Sequence, residues 1–425
     1  MTKKVNKKGG VLLDVLIVGS GGREHALGWK TAQSRDCGKI YFAPGNGGTE
    51  GVANSKNIDI AATDTKRLAL FAAENKCFAV IGPELPLSLG LADAMRELGV
   101  KVFGPGIAAA RLETSKAYSK WFMRKYNIPT AGYDEYADLN EALSSLPGRA
   151  YPVWVKADGL ASGKGAIFGE NEAGAREAIE SIMREKIFGE SGSKIVIEEH
   201  LEGREATLLC FVDGETILPM ELSQDYKRAH DGGLGPNTGG MGCVTPVMGI
   251  DVATTRDIVE GTLEGIKAEG LDYRGMLYIG LIFTDKGSFV IEYNARFGDP
   301  ETEALLHRLD TDLLRVMRET EARRLKNVSL KWKKETAVCV ALASGGYPES
   351  GEGGREITLP GSLPENCEIF HAGTAKRGGK LFTTGGRALF VSALGRDLSE
   401  ARSGAYGLIE KISFQNMRRR TDIGL

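Results

Sequence analysis

In FVIEYNARFGDPE, Glu292 and Asn294 stand two apart in a strand-like run, which puts both side chains on one face. Their oxygens are hard donors of the kind that Mg2+ takes together with water and phosphate. Arg296 continues the alternation, and its planar guanidinium could grip a phosphoryl group through two bonds. An ion-paired strand edge would carry the same pattern. Cations recur upstream: Lys116 in SKAYSKWFM, Lys156 at the end of VWVK, and Lys164 inside GLASGKGA, where Gly159, Gly163 and Gly165 leave the backbone free to move over a triphosphate. The spacing is not that of a Walker A loop, and a plain surface hairpin has the same composition. In IVIEEHLEGREA, Glu198, Glu199 and Glu205 flank a short linker whose backbone could read an adenine edge while a carboxylate holds ribose hydroxyls.

The stretch LIVGSGGREHA sets Gly19, Gly21 and Gly22 between a buried strand and a helix, a place where backbone N–H groups and a helix N-terminus favour an anion. A dinucleotide site is disfavoured, because Glu24 fills the third glycine position and Ala43-Pro44-Gly45-Asn46 stands where an acidic residue would end the second strand. A sugar phosphate on Gly21, Gly22 and Arg23 is the better reading, with an unliganded tight turn as the alternative. The five histidines are scattered, and only His25 lies near a proposed ligand, where a packing role is equally open. The six cysteines form no CxxC pair, which speaks against a zinc knuckle or disulfide framework and for a reducing compartment.

These residues need a scaffold of about three domains, given 425 residues. A net charge of −2 gives no broad basic field for nucleic acid, and MRRR at 417–420 is short enough to be a solvated face. There are 56 glycines, nearly twice the usual share of about 7%, so many loops must bring backbone close to something. No run of 18 apolar residues predicts a membrane span. Residues 1–10 read as a disordered basic tail rather than a signal peptide, since Asp14 interrupts the apolar run behind them.

From 11 to 112, strand-like LLDVLIV, KIYFA, FAVIG and KVFG alternate with helical stretches at 23–34, 64–75 and 87–98, the pattern of parallel βαβ units. Loops at Gly19, Pro44-Gly45 and Gly82-Pro83 should cluster outside the carboxyl ends of those strands. A first core segment over 113–200 contains a lid, about 129–197, built on a hairpin of Val153–Lys156 with Gly165–Phe168. A second, 201–331, carries strands at 206–212 and 216–220, a glycine-rich loop over 223–242, a helix over 251–269, strands at 276–283 and 288–294 and a helix after Pro300. That loop is too long for a mere connection. Residues 332–425 predict a β-rich domain closed by a helix starting near Ser399.

In their order, the lysines of SKAYSKWFM and VKADG, the glycine turn, EEHLEGRE and IEYNARFGDPE resemble the ATP-grasp superfamily. GSGGREHA, APGN, GPELPL, SQDYKR, GPNTGGMG, SGGYP, FHAGT and RRTDIG further resemble the phosphoribosylamine–glycine ligase family, over about Leu13 to Gly424. The resemblance implies an α/β multidomain fold: an N-terminal parallel α/β domain, an ATP-grasp α+β core with a small lid, and a C-terminal β-rich domain. It implies ligation of glycine to 5-phosphoribosylamine through glycyl phosphate, giving glycinamide ribonucleotide, ADP and phosphate, the second step of de novo purine synthesis. The enzyme would be a cytoplasmic monomer using ATP with Mg2+ or Mn2+, and would bind neither nucleic acid nor membrane. Another ATP-grasp ligase or carboxylase is the rival, from which SQDYKR and GPNTGGMG separate it.

Carried over by position, Lys116, Lys156, Gly163, Lys164 and Gly165 would meet ATP phosphates, Glu198 and Leu201 the adenine, Glu205 the ribose, and Glu292 with Asn294 the metal. Asp225, with Asn237, Gly239 and Gly240, would hold glycine, while Gly21, Gly22, Arg23, Glu24 and Asn46 would hold the phosphoribosylamine and Asp299 would be a further substrate contact. Arg296, Asp225 and Lys156 are the expected catalytic residues, Arg296 steadying the phosphoryl group or glycine's carboxylate. Two departures stand out: MLYIGLIF lacks the acidic metal ligand that many ATP-grasp enzymes carry, and the lid has Ser162 and Ala166 where alanine and valine are commoner.

Overall fold

The computed structural model describes residues 12–161 and 164–425. Gly163 and the basic tail therefore lie outside the described residues. The apolar Leu13–Gly19 run, buried from Val15 onward, is the central strand of a five-stranded parallel sheet. Cys37–Pro44 and Ser55–Asn57 lie to one side, Phe78–Ile81 and Val102–Phe103 to the other. The loops after three strands do converge: Gly45 N–H donates to the Gly19 carbonyl and Gly82 N–H to that of Val18. Where the sequence predicts one helix over 87–98, there are two, Glu84–Ser88 and Leu91–Glu97. Gly90 separates them at φ 76°, a left-handed conformation that glycine adopts freely.

Helical backbone is likewise interrupted at Ser115, between Ile107–Thr114 and Lys116–Lys125. Ser115 is extended at the junction, and its hydroxyl accepts the Tyr118 N–H as the cap of the second helix. Next comes a four-stranded antiparallel lid in the order Tyr133–Tyr136, Ile195–Glu199, Val153–Ala157, Ala166–Gly169. The expected lid hairpin is present, with Lys156 opposite Ala166.

Eight further strands form one antiparallel sheet: Gly287–Asn294, Gly275–Thr284, Arg204–Val212, Ile217–Asp225, Gly242–Thr245, Thr336–Ala343, Arg387–Gly395 and Cys367–His371, with Glu356–Ile357, Lys380–Thr383 and Thr374–Arg377 making a small separate sheet. The large sheet runs without a break from the Gly287–Asn294 strand into the C-terminal segment. The predicted 223–242 loop is mostly ordered backbone: the strand continues to Asp225, and Arg228–His230 pairs with Leu234–Asn237 as a small hairpin. A terminal helix, Leu398–Ile409, packs on the C-terminal strands.

Candidate active site

The Gly287–Asn294 strand is the outer strand of the large sheet, and its alternation survives past its end. Tyr293, Ala295 and Phe297 are buried in the core, so Glu292, Asn294 and Arg296 face the other way, into a cleft between the large sheet and the lid. The buried residues lock this register, since the Tyr293 hydroxyl lies 2.6 Å from that of Thr262. Neither the Glu292 carboxylate nor the Asn294 amide is held by a hydrogen bond or ion pair among the described residues. Burial alone would raise the Glu292 carboxyl, but Lys227 and Lys116 outweigh it and hold the pKa below the usual carboxylate value. The neighbour opposite Glu292 is Gly280, and opposite Asn294 is Tyr278. Among the described residues no three His, Cys, Asp or Glu side chains gather as a metal-binding group. The two free oxygen donors suit a cation that fills its shell with phosphate and water.

The lysines come from two elements that Asp158 ties together. Its carboxylate accepts the Ser115 hydroxyl at 3.0 Å and the Ala117 N–H at 2.7 Å, which fixes the first turn of the Lys116–Lys125 helix beside the lid strand ending at Ala157. Lys116 and Lys156 consequently line the same cleft. Burial lowers the Lys116 pKa, with the Glu292 charge opposing. Glu198, expected at the adenine, lines the cleft, and its Oε2 lies 2.9 Å from both the Lys156 and the Lys120 ammonium. Those two charges outweigh burial and hold the Glu198 carboxyl below its usual range. Lys120 escaped sequence reasoning, although it sits one helical turn after Lys116 on the same face. Burial pushes its pKa down to about 8, against the pull of Glu198. Lys164 donates to the Pro348 carbonyl at 3.0 Å and is not among the lining residues, whereas Gly165, Leu201 and Glu205 line the cleft.

Arg296 lies 3.1 Å from both Glu84 and Glu113, neither of which the sequence singles out. Glu113 also accepts the Ala295 N–H at 2.7 Å, so this buried acid aims the strand end as well as the guanidinium. Asp225, Asn237, Gly239 and Asp299 complete one wall, together with Lys227, Tyr278 and Glu301, which were not foreseen. Asp225 Oδ1 is buried without a hydrogen-bond partner. Burial, reinforced by Glu301, lifts the Asp225 carboxyl well above its usual pKa. Gly240 adjoins this wall from behind.

The N-terminal loop is a separate constellation. Glu24 accepts the Gly21 N–H at 2.6 Å and contacts the Arg23 guanidinium at 2.5 Å, so the residue that breaks the dinucleotide pattern knits the turn itself. The Arg23 side chain turns inward to the Phe297 carbonyl, and Gly22 packs against Glu303 and Phe390. Asn46 Nδ2 donates to the Ser20 and His371 carbonyls at 2.9 and 2.7 Å. None of these five lines the cleft, but the Arg23 N–H reaches Asp299 Oδ2 at 3.4 Å, which joins the two regions. His25 is a packing residue, its Nδ1 accepting the His371 N–H at 2.7 Å.

A four-stranded lid over an antiparallel sheet, with lysines, a Glu-x-Asn strand and an arginine converging between them, defines the class of ATP-grasp enzymes. The biotin carboxylase domain of the Hydrogenobacter thermophilus 2-oxoglutarate carboxylase shares the fold, with a TM-score of 0.73 over 95% of this chain and 91% of that one at 14% identity. Three family models match in succession: the Phosphoribosylglycinamide synthetase N domain at 13–113, its ATP-grasp (A) domain at 114–302 and its C domain at 337–425. The chain is 44% identical over 419 residues to the phosphoribosylamine–glycine ligase of Vibrio vulnificus strain YJ016, covering 97% of this chain and 98% of the relative. The enzyme of that name from Caldanaerobacter subterraneus is likewise 44% identical, over 97% and 99%. The crystal structure of the Thermotoga maritima phosphoribosylamine–glycine ligase superposes with a TM-score of 0.85 at 35% identity, over 97% of this chain and all of that one. The chain belongs to the phosphoribosylamine–glycine ligase family.

Proposed function

We propose that the protein joins glycine to 5-phosphoribosylamine at the expense of ATP, forming glycinamide ribonucleotide, ADP and phosphate. The observation that carries this reading is the meeting of Lys116, Lys156, Glu292, Asn294, Arg296 and Asp225 around one cleft, in a chain of this family. Phosphoryl transfer needs positioning and charge stabilisation more than a strong base. Lys156, set by Glu198, and Lys116 would draw the ATP phosphates in, while Glu292 and Asn294 would hold Mg2+ or Mn2+, which neutralises charge on the phosphates.

Asp225, beside Asn237 and Gly239, would take the ammonium of glycine, leaving its carboxylate near Arg296 to attack the γ-phosphoryl group. The glycyl phosphate so formed is attacked by the amine of phosphoribosylamine, entering past Asp299 from the Gly21–Glu24 loop. Gly165 and the lid would exclude water from this intermediate. The adenine would lie at the 199–201 hinge and the ribose at Glu205. The same reading makes the protein a cytoplasmic monomer of purine synthesis acting on small molecules.

The test is ADP release with each component omitted in turn. Turnover should require glycine, phosphoribosylamine and Mg2+ together. Equal turnover with alanine or bicarbonate in place of glycine would overturn the assignment.

A further inference from the structure

The glycine-rich wall of the cleft is held from behind by residues far along the chain. Gly240 has φ +109°, and a Cβ there would lie 2.8 Å from Asp225 Oδ1 and 2.4 Å from the Pro300 ring, so bare backbone passes directly against the unpartnered oxygen. The position of that backbone fixes how much room is left at Asp225. Behind it stands Arg387, at the start of the Arg387–Gly395 strand. Its Nη1 donates to the carbonyls of Gly239 at 2.7 Å, Gly240 at 3.0 Å and Asp299 at 3.0 Å, and its Nη2 lies 2.9 Å from Asp299 Oδ1. The Tyr347 hydroxyl accepts the Gly239 N–H at 3.1 Å. Both polar groups of the Gly239 backbone are thus taken by the C-terminal segment. The adjacent carbonyl, Pro348, receives Lys164 of the lid.

We propose that Arg387 and Tyr347 are positioning residues that set the width of the amino-acid pocket, holding the Gly239–Gly240 wall close to Asp225 so that an amino acid with a side chain on its α-carbon does not fit. The inference rests on the reading of Asp225 and this hairpin as the glycine site. A fork of guanidinium donors spans four acceptors at once, which a lysine ammonium cannot reproduce. Replacing Arg387 by lysine keeps the charge and frees the wall.

Steady-state kinetics of Arg387→Lys and Tyr347→Phe test it, with glycine, alanine and ATP varied separately. Arg387→Lys should raise the glycine KM about tenfold, leave the ATP KM within about twofold, and raise the alanine-to-glycine ratio of kcat/KM by about tenfold. Tyr347→Phe, a milder change that removes one hydrogen bond, should move the same quantities about threefold and speed hydrogen exchange at the Gly239 amide. A fall in melting temperature with the alanine-to-glycine ratio unchanged in both variants would overturn the proposal. Turnover by the unaltered enzyme that ignores glycine would instead sink the function proposed above. Faster exchange at Gly239 in Tyr347→Phe would then still report the clamp.

Discussion

At the scale of single residues, the site is a balance of buried charges in which Lys156, Lys120 and Arg296 are each aimed by a carboxylate. Glu198 sets Lys156 against Lys120, Glu84 and Glu113 set Arg296, and the Glu292 carboxylate is left without a hydrogen bond or ion pair among the described residues. Glu292→Gln keeps the volume and removes the charge, so turnover should drop by at least about 100-fold with far-ultraviolet circular dichroism unchanged. Near-normal rates at saturating Mg2+ would place the metal elsewhere. The Glu292, Asn294, Arg296 alternation is legible in the sequence because a period of two belongs to the strand itself. Lys120, Glu84, Glu113 and Arg387 are not, because their roles depend on contacts with residues brought near only by the tertiary fold. The place of Glu198 at the hinge was readable, but the two ammoniums beside its carboxylate were not.

At the scale of elements, the lid hairpin sets Lys156 opposite Ala166 at the edge of the cleft. Around its turn the Ala157 N–H donates to the Gly165 carbonyl and the Lys164 N–H to that of Ala161, but Leu160 and Ala161 are only half-buried. Nucleotide phosphates would give Lys156 a second anion beside Glu198 and draw the turn onto them. Hydrogen exchange across 157–167 should slow markedly with a non-hydrolysable ATP analogue and Mg2+ and much less with NADH. Unchanged protection, or equal protection by NADH, would show that this hairpin is no nucleotide lid. Elements with strong periodicity were readable from the sequence, such as the parallel strands and the lid hairpin. Those decided by a single backbone conformation or cap were harder, as at Gly90 and Ser115. The 223–242 stretch looked structureless because its glycines, four of them at positive φ, hide a short hairpin that pairs only through Arg228 and His230.

At the scale of the molecule, the N-terminal helix Gly22–Thr31 and the C-terminal strands meet over buried histidines. His25 contacts His371 and Phe370, and His307 Nδ1 lies 3.0 Å from the Ser392 hydroxyl while its ring meets Trp29. Burial pushes His307 down to about 3, helped by Lys333 and Lys30, and burial likewise holds His25 near 3 and His371 near 4. The folded chain keeps these rings neutral, whereas an unfolded histidine takes a proton below about 6.5. Their share of stability is therefore complete above that pH and is lost as the pH falls toward the folded values, at about 1.4 kcal/mol per pH unit for each. Buried carboxyls such as Asp225 and Glu303, raised by burial, pull the other way, so the histidine share is read by difference. Urea unfolding of His307→Gln at pH 7, 6 and 5 should give a slope shallower than that of the parent by about that amount, and identical slopes would remove His307 from the account. The eight-stranded sheet has another consequence, for heredity and for engineering. Gly242–Thr245 is hydrogen-bonded to Ile217–Asp225 on one side and to Thr336–Ala343 on the other, so the seam between core and C-terminal segment is a ladder rather than a linker. A gene cut before residue 336 would leave that ladder half-made and its edge open to any passing strand. Grafts between relatives should therefore exchange the two sides of the ladder together, because a C-terminal segment swapped alone brings a strand whose register was matched to another neighbour.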